Sequence, residues 1–565
     1  MKLTKSYLSV AIALGLVTAC TESVDNPHVE EVSNEVQTQD STQSPKPEIA
    51  VEDMSLVLLE SAQGGDVAFA APSNRMAKTM IARPMPVLEP FPNAENRDNY
   101  LDSPSNGVVQ VATSPLSTFS IDVDTGSYAN VRSYLNMGQK PPSDAIREEA
   151  FINYFDYQYN TPNKQSQPFS VQSEVAPSPW NVERKLLRIA MKGYDIPKSE
   201  RKSSNLVFLI DVSGSMGEPN KLPLLVQSLS MMTKELGKSD KVSLVTYAGQ
   251  SAVVLEPTSG DNKQEILNAL KQLQAGGGTY GESGIKMAYQ QAQKGFIKGG
   301  INRVILATDG DFNVGETNMD TLKDLITKER KNGVSLTTLG FGRGNYNDAL
   351  MEQLANVGDG NHAYIDTLHE AKKVLLRQMS GTLQSIAHDV KIQVEFNPAN
   401  VKEYRLIGYQ NRLLKDEDFN NDAVDAGEIG AGHSVTALYE LTLTGSKGQI
   451  DDLRYQSNQS KPSSDSLKNE LVQVKVRYKL PGKNDSILVK DTVLMKDIKA
   501  EFSQASSDFQ FASAVAAFAQ KLKDNNYLSS YGYEDIVKVA NANKGADLFN
   551  YRGEFVRLVE IAEAL

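Results

Sequence analysis

Residues 206–218 read LVFLIDVSGSMGE. An unbroken apolar run ends in Asp211, and two serines follow at alternate positions, Ser213 and Ser215. A short continuous run of Leu, Val, Ile and Phe suits a strand buried on both faces, as in a parallel sheet covered by helices. The following segments alternate accordingly. Helices are predicted at 222–236, 263–274, 282–294, 319–331, 347–356 and from about 370, and strands at 242–247, 252–255, 304–307, 335–339 and 363–365. With 206–210 these make a doubly wound, Rossmann-like α/β domain over 205–382.

In such a sheet ligands sit beyond the carboxyl ends of the strands, where the strand order reverses. Asp211 ends the first strand, and Asp309 follows the strand 304–307 in Thr308-Asp309-Gly310. If the two strands are neighbours, their aspartates converge. Side chains alternate along an extended loop, so Asp211, Ser213 and Ser215 face one way. Thr279, after Gly276, Gly277 and Gly278, adds a third hydroxyl. Two carboxylates and three hydroxyls are hard oxygen donors, the set for an octahedral divalent ion: Mg²⁺ fits best, with Mn²⁺ or Ca²⁺ as alternatives.

These five positions match, one by one, the metal-ion-dependent adhesion site of von Willebrand factor type A domains. The resemblance implies that Ser213 and Ser215 coordinate directly, and that Thr279 does so in the ligand-bound state. It also implies that Asp211 and Asp309 hold the ion directly or through water. Further pieces, STFSIDVD at 117–124, GRGNYND at 342–348, YRLIGY at 404–409 and YRGEF at 551–555, resemble the bacterial cell-envelope subgroup labelled YfbK. That subgroup couples an N-terminal segment, a type A domain and a C-terminal domain of unknown function.

The flanks read differently. Period-two alternation at 391–396, 436–444 and 472–478 predicts half-buried strands, and the last pairs with 487–494 across Pro481-Gly482-Lys483-Asn484. Strands at 169–175 and 185–191 precede the type A domain. The fold expected is therefore α/β, a doubly wound domain inserted in a β-sandwich made of 166–204 and 383–498. An N-terminal helical segment at 111–165 and a C-terminal helical domain at 499–565 complete it. Stripes Phe511, Val515, Phe518, Leu522 and Phe555, Leu558, Val559, Ala562 mark buried helix faces.

At the N-terminus Lys2 and Lys5 precede an apolar core too short to span a bilayer, ending in Val17-Thr18-Ala19-Cys20. This resembles the lipobox of bacterial lipoproteins, which implies a signal peptide over 1–19 and lipid attachment at Cys20, the single cysteine of the chain. Thr21 then implies sorting to the outer membrane in a diderm envelope. Residues 20–110 are polar and acidic, with carboxylates from Glu22 to Asp53 facing only Lys46, and read as a disordered tether. Much of the formal net charge of −12 belongs to this tether. The absence of a basic run disfavours nucleic acid as a partner.

Two patterns invite other chemistry. Asp122-Val123-Asp124-Thr125-Gly126-Ser127 contains the signature of aspartic peptidases, but those need a second carboxylate from a like lobe and strands afterwards. Here no second copy exists and Tyr128, Val131, Tyr134 and Leu135 predict a helix, so a strand-to-helix turn is preferred. The acidic loop 416–425 suggests calcium but lacks the glycine and final glutamate of an EF-hand in register. His28, His362, His369, His388 and His433 form no zinc pattern, and only Glu282 follows Thr279 closely enough to serve as a base. Metal-dependent binding of a protein that supplies an Asp or Glu is favoured, with a metal-independent envelope scaffold as the alternative and hydrolysis third.

Overall fold

The computed structural model describes residues 97–565 apart from 163–166, 280, 311, 313–318, 379–382 and 452–464. The expected signal peptide, Cys20 and the tether as far as residue 96 lie outside the described residues. The tether expected up to 110 ends sooner. Arg97 N and Asn99 N each donate to the backbone of the 344–346 loop at 2.8 Å, and Asp98 Oδ1 accepts from Gly344 N and Tyr346 N at 2.8 Å. Backbone and carboxylate hydrogen bonds hold this stretch, so its polar composition gave no sign of order.

The N-terminal part contains strands β1 (Val109–Gln110), β2 (Leu116–Ser120), β3 (Phe169–Pro177) and β4 (Lys185–Gly193). The inserted domain contains β5 (Ser204–Asp211), β6 (Lys241–Tyr247), β7 (Ser251–Ser259), β8 (Ile301–Thr308), β9 (Ser335–Phe341) and β10 (His362–Ile365). After it come β11 (Ser385–Phe396), β12 (Val401–Ile407), β13 (Ile429–Gly430), β14 (Ser434–Leu443), β15 (Glu470–Lys479) and β16 (Ser486–Leu494). One sheet runs β1-β12-β14-β4-β3, and a second runs β13-β11-β15-β16 with β2 also paired to β11. The sandwich thus draws on both flanks. It also takes β1 and β2 from stretches expected to be tether and helical segment.

Alternation explains how the first sheet is covered twice. Leu187, Ile189 and Met191 of β4 pack with Ile392, Val394 and Val474 of the second sheet. Leu186 and Ala190 point the other way, into a cluster with the helices Gly126–Asn136, Ser507–Leu522 and Tyr551–Ala564. Both predicted apolar stripes lie in that cluster. Segments from before and after the sandwich strands therefore close one helical layer around Phe151, Phe155, Phe511, Phe518 and Phe555.

In the inserted domain the strand order is β10-β9-β8-β5-β6-β7, parallel except for the β6–β7 hairpin. Leu206, Phe208 and Ile210 face one apolar layer with the helix Leu222–Thr233, while Val207 and Leu209 face another with the helix Glu282–Lys294. Burial on both faces is why this strand reads as an unbroken apolar run. Because β5 and β8 are neighbours in parallel register, Ile210 opposite Ala307, Asp211 and Asp309 emerge from the same end of the sheet.

Candidate metal centre

Asp211 and Asp309 are both fully buried. Asp211 Oδ1 accepts from Ser213 N at 2.8 Å, closing a tight turn that sends the chain across the sheet end. Its Oδ2 accepts from Thr308 Oγ1 at 2.9 Å and Tyr247 OH at 3.2 Å. Burial pushes the Asp211 carboxyl up to about 6, the Ser213 hydrogen bonds oppose this, and the charge of Asp309 adds to it. Ser213 Oγ and Ser215 Oγ lie 3.0 Å apart. The glycine loop is stitched to them by Gly214 N donating to Gly277 O at 3.0 Å and Gly276 N to Val212 O at 2.8 Å. Gly277, at φ 86°, takes a backbone conformation that L side chains avoid. Thr279, half-buried, follows that loop directly.

The structure thus gathers Asp211, Ser213, Ser215 and Asp309 at one sheet end and brings the loop of Thr279 against them. Sequence reasoning missed three residues here: Thr308 and Tyr247, whose hydroxyls orient Asp211, and Lys221. Lys221 Nζ donates to Asp309 Oδ2 and to Ser215 O, each at 3.1 Å. Thr308 was findable beside Asp309, but a lysine at a predicted helix start signals only a solvated charge.

The donor set fits a divalent ion. Asp309 Oδ1 is buried and accepts no hydrogen bond among the described residues, a costly state for a carboxylate oxygen that an ion would relieve. Adjacent ligands of an octahedral Mg²⁺ at about 2.0–2.1 Å stand about 2.9 Å apart, close to the spacing of the two serine hydroxyls. Glu282, the one candidate base, pairs with Lys286 Nζ at 2.7 Å.

The other acidic clusters singled out in the sequence are tied to backbone, hydroxyl or cationic groups of the protein. Asp122 Oδ1 accepts from Asp124 N, and Asp124 Oδ1 accepts from His362 N, both at 2.9 Å, so the peptidase-like signature is a turn leading into the helix Gly126–Asn136. Arg412 stands between Asp122, Asp124 and Glu352 at 3.1, 3.6 and 3.2 Å. In the acidic loop, Asp416 accepts from Thr118 Oγ1 at 2.7 Å and Asp425 pairs with Arg330 at 2.8 Å. His388 pairs with Glu428, beside the Arg330–Asp359 pair at 2.7 Å.

Burial, reinforced by Asp122, pushes the Asp124 carboxyl up to about 7 against the pull of Arg412 and His362. The folded state then holds a proton that the unfolded chain, with a carboxyl near about 3.9, has released. This contribution to stability is full below about pH 4 and is lost as pH rises through about 7. Asp124→Asn keeps an acceptor for His362 N, and its melting temperature is expected to fall less than wild type's between about pH 5 and 7.5. Equal slopes would remove Asp124 as the source.

Residues 205–378 match the von Willebrand factor type A domain family, and residues 381–565 match a family described as the C-terminal part of the uncharacterized protein YfbK. Residues 94–188 match a family described as von Willebrand factor. The chain is 49% identical over 472 residues to the uncharacterized protein YfbK of Escherichia coli, covering 82% of this chain and 81% of that one. It is 25% identical over 340 residues to the uncharacterized protein sll0103 of Synechocystis, covering 59% and 75%. Among solved structures, a von Willebrand factor type A protein from Catenulispora acidiphila aligns at 14% identity with TM-score 0.40, covering 70% of this chain and 91% of that one.

Proposed function

The chain belongs to the YfbK family and carries a von Willebrand factor type A domain, and on that premise we propose that it is a lipid-anchored cell-envelope protein that captures a protein partner through a divalent metal. Ser213, Ser215 and Thr279 would hold the ion together with Asp211 and Asp309, and Mg²⁺ is the ion the oxygen set suits best. When bound, the ion supplies an open position for one more anionic oxygen, an Asp or Glu of the partner. The observation that carries this reading is the buried Asp309 Oδ1, without a hydrogen-bond partner among the described residues, together with two serine hydroxyls at ligand spacing at the same end of the sheet. The Val17–Cys20 lipobox supports anchoring to the envelope, and Thr21 the outer membrane.

The surroundings favour a broad partner over a small substrate. Among the described residues, Gly214, Gly217, Gly249, Gly276, Gly277 and Gly278 are all exposed around the site, so much of what an approaching partner meets there is backbone. Two cavities, of about 840 and 220 Å³, are lined by other residues. Hydrolysis would need a base poised beside an activated water, and the nearest sequence candidate, Glu282, is engaged with Lys286. A metal-independent scaffold remains the second reading because Lys221 already places a cation on Asp309.

Thermal unfolding of the full chain with Mg²⁺, Mn²⁺, Ca²⁺ or EDTA separates the two. Native-state binding at a hundredfold excess over Kd adds about 2.7 kcal/mol, so a metal-dependent rise in melting temperature is expected in wild type and none in Asp211→Ala. No rise with any ion would leave the scaffold reading.

A further inference from the structure

Lys221 occupies an unusual place. It is the residue before the helix Leu222–Thr233, where the helix dipole disfavours a positive charge, yet its side chain is only 4% exposed. Rather than reaching into water, the ammonium bends back to Asp309 Oδ2 and Ser215 O. Its stem fills a slot that exists because residue 342 is glycine. Gly342 has φ 67°, and a Cβ there would stand 2.2 Å from Lys221 Cε. The first glycine of the GRGNYND stretch thus makes room for this lysine.

Charge counting shows what such a lysine does to a metal centre. Among the described residues, Asp211 and Asp309 bring two negative charges to the centre, so a divalent ion held by them alone would be neutralised. Lys221 cancels one, leaving the empty centre at −1 and the loaded centre at +1. It also engages Oδ2 of Asp309, so that Oδ1 is the oxygen left for an ion.

We propose that Lys221 is the positioning residue that makes this centre seek an anion: it weakens the hold on the ion and leaves the loaded site one positive charge, which a partner carboxylate satisfies. This rests on the reading that the site holds a divalent metal. Gly342, by admitting the lysine, belongs to the same device.

The test is Mn²⁺ binding to the full chain, followed by the spin-resonance signal of free Mn²⁺, with acetate as the carboxylate probe. Wild type, Lys221→Met, Lys221→Arg and Asp211→Ala are compared after a check of melting in EDTA. Lys221→Met is expected to bind Mn²⁺ about tenfold or more tightly, because even water-like screening leaves substantial repulsion between a charge and a divalent ion a few ångström away. Lys221→Arg keeps the charge and is expected within about threefold of wild type on the same grounds. Acetate should tighten Mn²⁺ binding in wild type, and by reciprocity Mn²⁺ should tighten acetate; in Lys221→Met that coupling should vanish. A lysine that merely supported the loop would move neither the acetate coupling nor the arginine rescue. If Lys221→Met does not fold, Lys221→Gln, which retains a donor for Ser215 O, carries the same expectations. Equal or weaker Mn²⁺ binding in the uncharged variant overturns the proposal while the metal reading stands. Binding in Lys221→Met but not in wild type supports it. No binding in wild type or either uncharged variant overturns both.

Discussion

Arg132→Met is expected to destabilise the folded body by about 3–5 kcal/mol, the cost of removing one partner from a buried ion pair. Arg132 is 1% exposed on the helix Gly126–Asn136. Its Nε donates to Asp366 Oδ2 at 2.7 Å, one terminal nitrogen reaches Asp366 Oδ1 and, at 2.8 Å, Glu370 Oε2, and the other reaches Tyr154 OH at 2.7 Å and Glu554 Oε2 at 3.1 Å. One guanidinium therefore joins the N-terminal helix, the end of the type A domain and the C-terminal helix. Methionine fills similar volume but leaves the buried carboxylates of Asp366 and Glu370 without their fork. Lys373, whose amine burial pulls down to about 7, would recover part of the loss as its proton is held more tightly beside Glu370. Arg132→Lys keeps the charge without the bidentate geometry and should lose less. Urea unfolding followed by circular dichroism reads the effect, and a change below about 1 kcal/mol would place the adhesion of the three parts in their apolar contacts instead.

Gly310→Ala is expected to cost about 3 kcal/mol or more and to abolish metal-dependent stabilisation, although residue 310 holds no ligand. Gly310 has φ 103°, and a Cβ there would lie 2.3 Å from Asn347 N and 2.6 Å from Tyr346 Cα. Those are backbone atoms of the loop that also clamps Asp98, so neither side can yield by turning a side chain. The left-handed conformation alone adds about 1–2 kcal/mol for a residue with Cβ. Relief requires moving the chain at Asp309, away from Lys221 and the end of β5. Gly278→Ala is the control: no atom of the described residues lies within 4 Å of its Cβ position, so its melting temperature should stay near wild type. A Gly310→Ala protein with wild-type melting and metal response would mean that the two loops are free to separate.

Several features of this site were legible because they depend on local spacing. The period-two spacing of Asp211, Ser213 and Ser215 after an apolar run holds for any extended chain leaving a strand, and Asp309 after a second such run has the same logic. The strand-to-helix turn at Asp122–Asp124 was legible from the helical spacing that follows it. By contrast, β2 was assigned to a helical segment because its partners, at 391–395, are distant in sequence, and five residues carry no record of the strand they join. Residues 97–110 looked like tether because hydrogen bonds rather than apolar burial hold much of their length.

The sequence by itself determined the doubly wound domain, the oxygen-bearing side chains at its sheet end, the inserted position of that domain in a sandwich and the apolar stripes of the closing helices. The strands, helices and stripes follow from periodicity, which each segment carries within itself, and the full set of oxygen donors from its resemblance to the type A adhesion site. Only the tertiary structure decided that the helix Gly126–Asn136 and the C-terminal helices share one layer, that Arg132 joins three parts, and that Lys221 turns inward to Asp309. Those are long-range pairings of charged groups, and a charged residue reads as solvated until the fold places an opposite charge beside it and removes the water.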